Sequence, residues 1–93
     1  MATKKENLII IMSDEHQGSA LGFLGHPFVK TPNLDELADN GVVFSNAYTS
    51  CPICVPARAS FATGLPVHKN RLWDNAMPYY GQIPSWGHRL QSK

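Results

Sequence analysis

Residues 8–12, Leu8-Ile9-Ile10-Ile11-Met12, form an unbroken apolar run with three β-branched residues in succession, and no other feature narrows the possible folds as much. The run is far shorter than the roughly 20 residues that cross a bilayer, and too short to display a helical period. A continuous apolar run, as opposed to an alternating one, marks a strand covered on both faces, the kind that builds parallel sheets. Ser13-Asp14-Glu15-His16 follows at once. Open α/β sheets bind ligands just beyond the carboxyl ends of their strands, so Asp14 and Glu15 stand where a site is expected.

The rest of the chain supports an α/β order. Residues 17–29 hold Gly18, Gly22, Gly25 and Pro27 and read as loop with at most a helical turn. Residues 31–41 give the clearest helix. Pro32 suits a first turn, Asn33 with Glu36 can form a capping box, Thr31 is an equally good cap, and Gly41 ends the element. Leu34, Leu37 and Ala38 make its apolar stripe. Residues 42–48 read as a second strand, and strand–helix–strand predicts a parallel βαβ unit. Residues 49–56 read as loop, 56–64 as a short helix opened by Pro56 and closed by Gly64, and 65–80 as irregular. Ser85 is placed to cap a last helix that stops at Lys93, so the expectation is a piece of a larger protein.

Composition excludes several classes. The 93 residues carry 8 Lys+Arg against 7 Asp+Glu, a formal charge of +1, which leaves no basic footprint for nucleic acid or an anionic membrane. The 43% hydrophobic fraction is too high for a disordered chain. The N-terminal run lacks the length and cleavage site of a signal peptide, so a cytoplasmic location is expected. Two Cys are too few for a disulfide scaffold.

The chemistry concentrates at Cys54-Val55-Pro56-Ala57-Arg58. Cys54 lies just before a helix start and Arg58 four residues on, so both can face one pocket. A helix N-terminus offers N–H groups and partial positive charge, and Arg58 adds a forked cation. Together they suit a tetrahedral anion with a reactive side chain at its mouth.

At this point the sequence resembles a known family. Cys54-x-Pro56-x-Arg58, followed by residues 59–64, is similar to the signature of the sulfatases. Residues 7–14 resemble that family's first strand and first metal-binding acid. Residues 30–38 and 41–44 resemble its next helix and strand, and Asn46-Ala47-Tyr48 leads into the signature as it does there. Residues 73–76 and 83–90 are similar to the choline-sulfatase-like branch and to phosphonate monoester hydrolases.

The resemblance implies an α/β alkaline-phosphatase-like sandwich with a central, mostly parallel sheet, of which residues 1–93 supply the N-terminal part of the catalytic domain. It implies hydrolysis of a sulfate monoester to alcohol and sulfate. Cys54, converted by a maturase to formylglycine (3-oxoalanine), would be nucleophile and metal ligand. Asp14 would bind one divalent cation, Ca²⁺ before Mg²⁺ or Mn²⁺. Arg58 would steady the nucleophile, and Asn75 would hold the sulfuryl oxygens. Many sulfatases carry two adjacent Asp where this chain has Asp14-Glu15, so Glu15 is left open as a ligand. The expected partners are a small-molecule sulfate ester and the maturase, with no nucleic acid, no membrane and no stated oligomer.

The chemical logic is coherent. A sulfate ester is anionic and repels a nucleophile; a cation offsets that charge, and fixed donors stabilise the charge that develops. A hydrated aldehyde attacks with one hydroxyl and expels sulfate through the other, an exit that an ordinary Ser or Cys lacks. Phosphonate or phosphate diester hydrolysis uses the same parts and is the alternative within the superfamily. A truncated, non-catalytic product is the rival from another class, because the Lys, His and further metal acids that the family places downstream are not in this sequence. Cys51-Pro52-Ile53-Cys54 also permits a thiol–disulfide reading, although that leaves Asp14, Arg58 and Asn75 without a task. Zinc held by the two Cys with His16, His26, His68 or His88 does not fit the spacing of closed zinc sites. His68 and His88 read as surface positions, and Trp73 as core or pocket wall.

Overall fold

The computed structural model describes residues 4–92. Its regular elements are a 3-10 turn at Gly22–Leu24 and four helices: α1, Pro32–Asn40; α2, Cys54–Thr63; α3, Val67–Asn70; α4, Trp86–Gln91. The chain divides into two units, Met1–Phe44 and Ser45–Lys93. Lys93, where the last element was expected to stop, lies outside the described residues.

In the N-terminal unit, α1 forms where Pro32 and the Leu34/Leu37/Ala38 stripe predict it, and it stops at Gly41. Its start differs from the expected capping box. The Thr31 hydroxyl donates to Asp35 Oδ1 at 2.7 Å and accepts from Gly22 N–H at 2.8 Å. Asp35 Oδ1 also accepts from Phe23 N–H at 2.9 Å. Thr31 and Asp35 therefore tie α1 to the 3-10 turn, and the Thr31 oxygen is engaged away from the first-turn amides. This closeness explains Gly22: a Cβ there would lie 2.6 Å from Asp35 Oδ2. Leu21, Phe23, Leu34, Leu37, Ala38, Gly41, Val42 and Val43 line an open apolar groove of about 470 Å³.

The two expected strands are not formed among the described residues. Residues 8–12 take no regular secondary structure and are exposed, Ile9 at 83% and Ile11 at 87%. Residues 42–48 are broken by a turn at Ser45 and Asn46. The physical reason is that strand backbone groups need a neighbour. A central parallel strand takes hydrogen bonds from both sides, and a helix, unlike a strand, closes its bonds within itself. The sequence pattern registers a preference for a covered sheet; the covering strands are not among the described residues.

In the C-terminal unit, α2 packs against α3, and the buried side chains lie on α2, on α3 and at Leu72 just beyond α3. Pro56 is fully buried, and Ala59, Val67 and Leu72 are at most 5% exposed. Gly64 ends α2 at φ 71°, with its N–H on Ser60 O at 2.8 Å. The one-turn helix α3 falls in a stretch whose sequence predicts irregular structure; it starts after Pro66 and ends at Arg71, which holds φ 61°. Asn70 sits at the centre of this junction. Its Nδ2 donates to Leu65 O at 3.1 Å and to Ser60 Oγ at 3.3 Å, and its Oδ1 accepts from Leu72 N–H at 2.9 Å. Ser60 Oγ in turn meets Ser50 Oγ at 3.0 Å, which links the loop before α2 to this core. Ser85 caps α4 as expected, in a capping box whose other half is the His88 ring, its Nδ1 accepting from Ser85 N–H at 3.1 Å. Phe61 of α2 meets Trp86 of α4 edge to face at 6.1 Å.

Candidate active site

Cys54 is the first residue of α2, two positions earlier than the sequence reading placed the helix start. Ile53 is extended, and its carbonyl accepts from Ala57 N–H at 2.9 Å, so helical bonding already begins there. Pro56 then occupies the third helical position, where a missing N–H breaks no intrahelical bond. With 3.6 residues per turn, Cys54 and Arg58 fall on one side of α2, and Pro56, Ala59 and Thr63 on the other. The burial of Pro56 and Ala59 therefore turns Cys54 and Arg58, both exposed, outward together. Side chains four apart on a helix stand roughly 5–6 Å apart at Cβ.

Asn75 reaches this end of α2 from 20 residues away. Its Oδ1 accepts from Val55 N–H at 2.9 Å. Ile53, the N-cap residue, makes no side-chain cap bond, so Asn75 acts as a cap from a distant loop. The contact revises the expected anion receptor. Of the first-turn amides, that of Val55 is engaged by Asn75 and Pro56 has none. The side-chain donor that this contact turns toward an anion is the Asn75 Nδ2 group, whose orientation follows from the engagement of Oδ1. The structure thus brings Asn75 to the first turn of α2, which begins at Cys54, and Arg58 follows one turn on along the same side of the helix as Cys54.

Asp14 lies in the N-terminal unit, at a bend, and is exposed. Glu15 beside it holds φ 51°, a left-handed conformation that costs a residue with a Cβ about 1–2 kcal/mol. No group of three or more His, Cys, Asp or Glu able to hold a metal ion occurs among the described residues. Ca²⁺ takes roughly six to eight oxygen ligands and Mg²⁺ an octahedron. Asp14 and the residue at 54 do not supply that set, so these residues do not by themselves fit a cation.

Cys51, half-buried, and Cys54, exposed, are both free thiols. Thr49 Oγ1 fixes the loop around Cys51, donating to its carbonyl at 2.8 Å. His68 is exposed on α3, His88 is engaged at the α4 cap, and Trp73 is 53% exposed. Sequence reasoning passed over the Ser50–Ser60–Asn70 network, whose members are ten residues apart in the chain. The Asp74-Asn75 pair is a turn signal in the sequence, and the structure forms a turn there.

A sequence profile of the sulfatases matches residues 6–91. The class this defines is the alkaline phosphatase superfamily, to which sulfatases belong. Within it, the chain belongs to the sulfatase family. It is 42% identical over 91 residues to a choline-sulfatase of Rhizobium meliloti, a match covering 98% of this chain and 18% of that protein. It is 48% identical over 61 residues to an arylsulfatase of Clostridium perfringens, covering 66% and 13%. A multifunctional alkaline phosphatase superfamily protein of Trinickia caryophylli is 38% identical over 79 residues, covering 80% and 15%. The chain therefore spans under a fifth of the length of these relatives. No solved structure matches it.

Proposed function

We propose that residues 1–93 are the nucleophile-bearing N-terminal part of a sulfuric ester hydrolase that cleaves a sulfate monoester to alcohol and sulfate. The observation that carries this reading is the 2.9 Å bond from Val55 N–H to Asn75 Oδ1. It joins the Cys54-x-Pro56-x-Arg58 segment to the Trp73-Asp74-Asn75 segment, two stretches whose shared purpose sequence alone suggests. In the complete enzyme the runs 8–12 and 42–48 belong to a central, mostly parallel sheet. Their exposed apolar side chains support this, because such runs are suited to cover on both faces.

Formylglycine at position 54, formed by a maturase, supplies an oxygen nucleophile that a thiol does not. Asp14 would be one ligand of a divalent cation, Ca²⁺ by preference, which would supply charge neutralisation once further ligands joined it. Arg58 holds a permanent positive charge on the same side of α2 as residue 54 and steadies the incoming anion. Asn75 presents N–H donors to the transferred group. Each such fixed donor is worth about 2–4 kcal/mol of transition-state stabilisation. The proposed ligand is a small sulfate ester, with no role for nucleic acid or membrane, and the proposed location is the cytoplasm. No helix among the described residues is long and apolar enough to cross a membrane.

Mass spectrometry of the peptide spanning residues 49–58, from protein made beside a competent maturase, tests the reading. The expected mass is that of an aldehyde in place of the Cys54 thiol; an unmodified thiol removes the nucleophile and the proposal with it. A second reading within the superfamily is phosphonate or phosphate diester hydrolysis, which uses the same parts. Rates on an aryl sulfate and a phenyl phosphonate ester, measured side by side on the enzyme containing this segment, separate the two.

A further inference from the structure

Asn75 holds its position through a loop whose organising side chain is Asp74. Asp74 Oδ1 accepts from Ala76 N–H at 2.8 Å, and Asp74 O accepts from Met77 N–H at 3.3 Å. Trp73 N–H points to Met77 Sδ at 3.4 Å and closes the loop at its base. These three contacts bend residues 73–77 so that Asn75 stands in the turn between Asp74 and the Ala76 amide that Asp74 holds. The Asn75 side chain then meets Val55 N–H. An amide has one acceptor end and one donor end. With Oδ1 engaged by Val55, the donor end is turned away from the backbone of α2. A freely rotating loop would present either end to an anion, and the carbonyl end would repel it.

We propose that Asp74 is a positioning residue for the sulfate site: it folds the 73–77 loop so that Asn75 is locked to Val55 by its carbonyl oxygen and offers only its Nδ2 hydrogens to the anion. The inference rests on the sulfatase reading for the identity of the anion, and on geometry alone for the lock. Asp74 touches no reacting atom in this arrangement; it acts through Asn75. The requirement is for an acceptor at Oδ1, not for charge, so Asn can replace Asp at this position and Ala cannot.

Amide hydrogen exchange and selectively labelled ¹H–¹⁵N spectra of the enzyme containing this segment test the lock, with inorganic sulfate as the probe. In Asp74→Ala the Val55 amide should exchange roughly five- to tenfold faster, the size expected for one backbone-type hydrogen bond. In Asp74→Asn it should stay within about twofold of the native chain. The Leu72 amide, bonded to Asn70 Oδ1 at 2.9 Å and outside the loop, reports whether the unit is still folded and should not change in either variant. Titration with sulfate should shift the Asn75 Nδ2 signals in the native chain and in Asp74→Asn, and not in Asp74→Ala. Val55 protection unchanged in Asp74→Ala, with Leu72 intact, overturns the positioning role and leaves the sulfatase reading standing. An Asn75 amide in the native chain that ignores sulfate, with Val55 protected, overturns the anion role assigned to Asn75.

Discussion

Asn70 is 5% exposed and engages both ends of its amide, giving hydrogens to Ser60 Oγ and Leu65 O and accepting one from Leu72 N–H. Replacing it by Ala leaves a buried N–H and a carbonyl without partners. That outweighs the small gain from removing a polar side chain, since each orphaned group costs about 1–3 kcal/mol. Asn70→Ala should therefore lower stability by about 2–3 kcal/mol, read as a lower urea midpoint for the loss of helical signal. Arg71 next to it works in the other direction. It holds φ 61°, which costs a residue with a Cβ about 1–2 kcal/mol, whereas Gly there loses about 0.5–1 kcal/mol through greater freedom when unfolded. The difference predicts that Arg71→Gly raises stability by up to about 1 kcal/mol in the same assay. Nothing in the structure explains why Arg stands at this position.

At the scale of elements, the helices differ in where their ends are satisfied. The six-residue α4 depends on a local device, the Ser85–His88 capping box, and is too short to persist on propensity. Ser85→Ala should cost about 1 kcal/mol. The loss should appear as selective fraying of residues 86–91 by hydrogen exchange, with α2 unaffected. The longer α2 has no local side-chain cap and takes Asn75 as a remote one. This contrast separates what can be read from a sequence window from what cannot. Ser85 three residues before His88 is visible in the chain, as are Pro32 before α1 and Gly64 after α2. The Asn75 cap is 20 residues away and becomes visible only when α2 and the 73–77 loop are brought together.

For the whole chain, exposed apolar surface is the dominant physical fact. Leu8, Ile9, Ile11, Val42 and Phe44 are all between 72% and 87% exposed. Contiguous apolar residues of this kind seldom face water in a stable monomer. The 93-residue chain by itself should bind a hydrophobic dye such as ANS and associate as concentration rises. Ile9→Lys with Ile11→Lys should suppress association, measured by light scattering, and leave helical content unchanged, because neither residue belongs to a helix. Unchanged association in that double variant would show that the apolar run is not the cause. The same exposure accounts for the sheet that pattern alone anticipated and that is not formed among the described residues: the run has the composition of a covered strand without the neighbours that would bond to it.

The sequence by itself determined the family, a helix opened by Pro32 and closed at Gly41, and a last helix capped by Ser85, because these depend on local order: caps, turn residues and short motifs. Only the tertiary structure decided that Pro56 and Ala59 are buried, so that Cys54 and Arg58 face outward, and that Asn75 uses its carbonyl on Val55. Burial and remote hydrogen bonds arise from segments meeting in space, and the partners that meet are not adjacent in the chain.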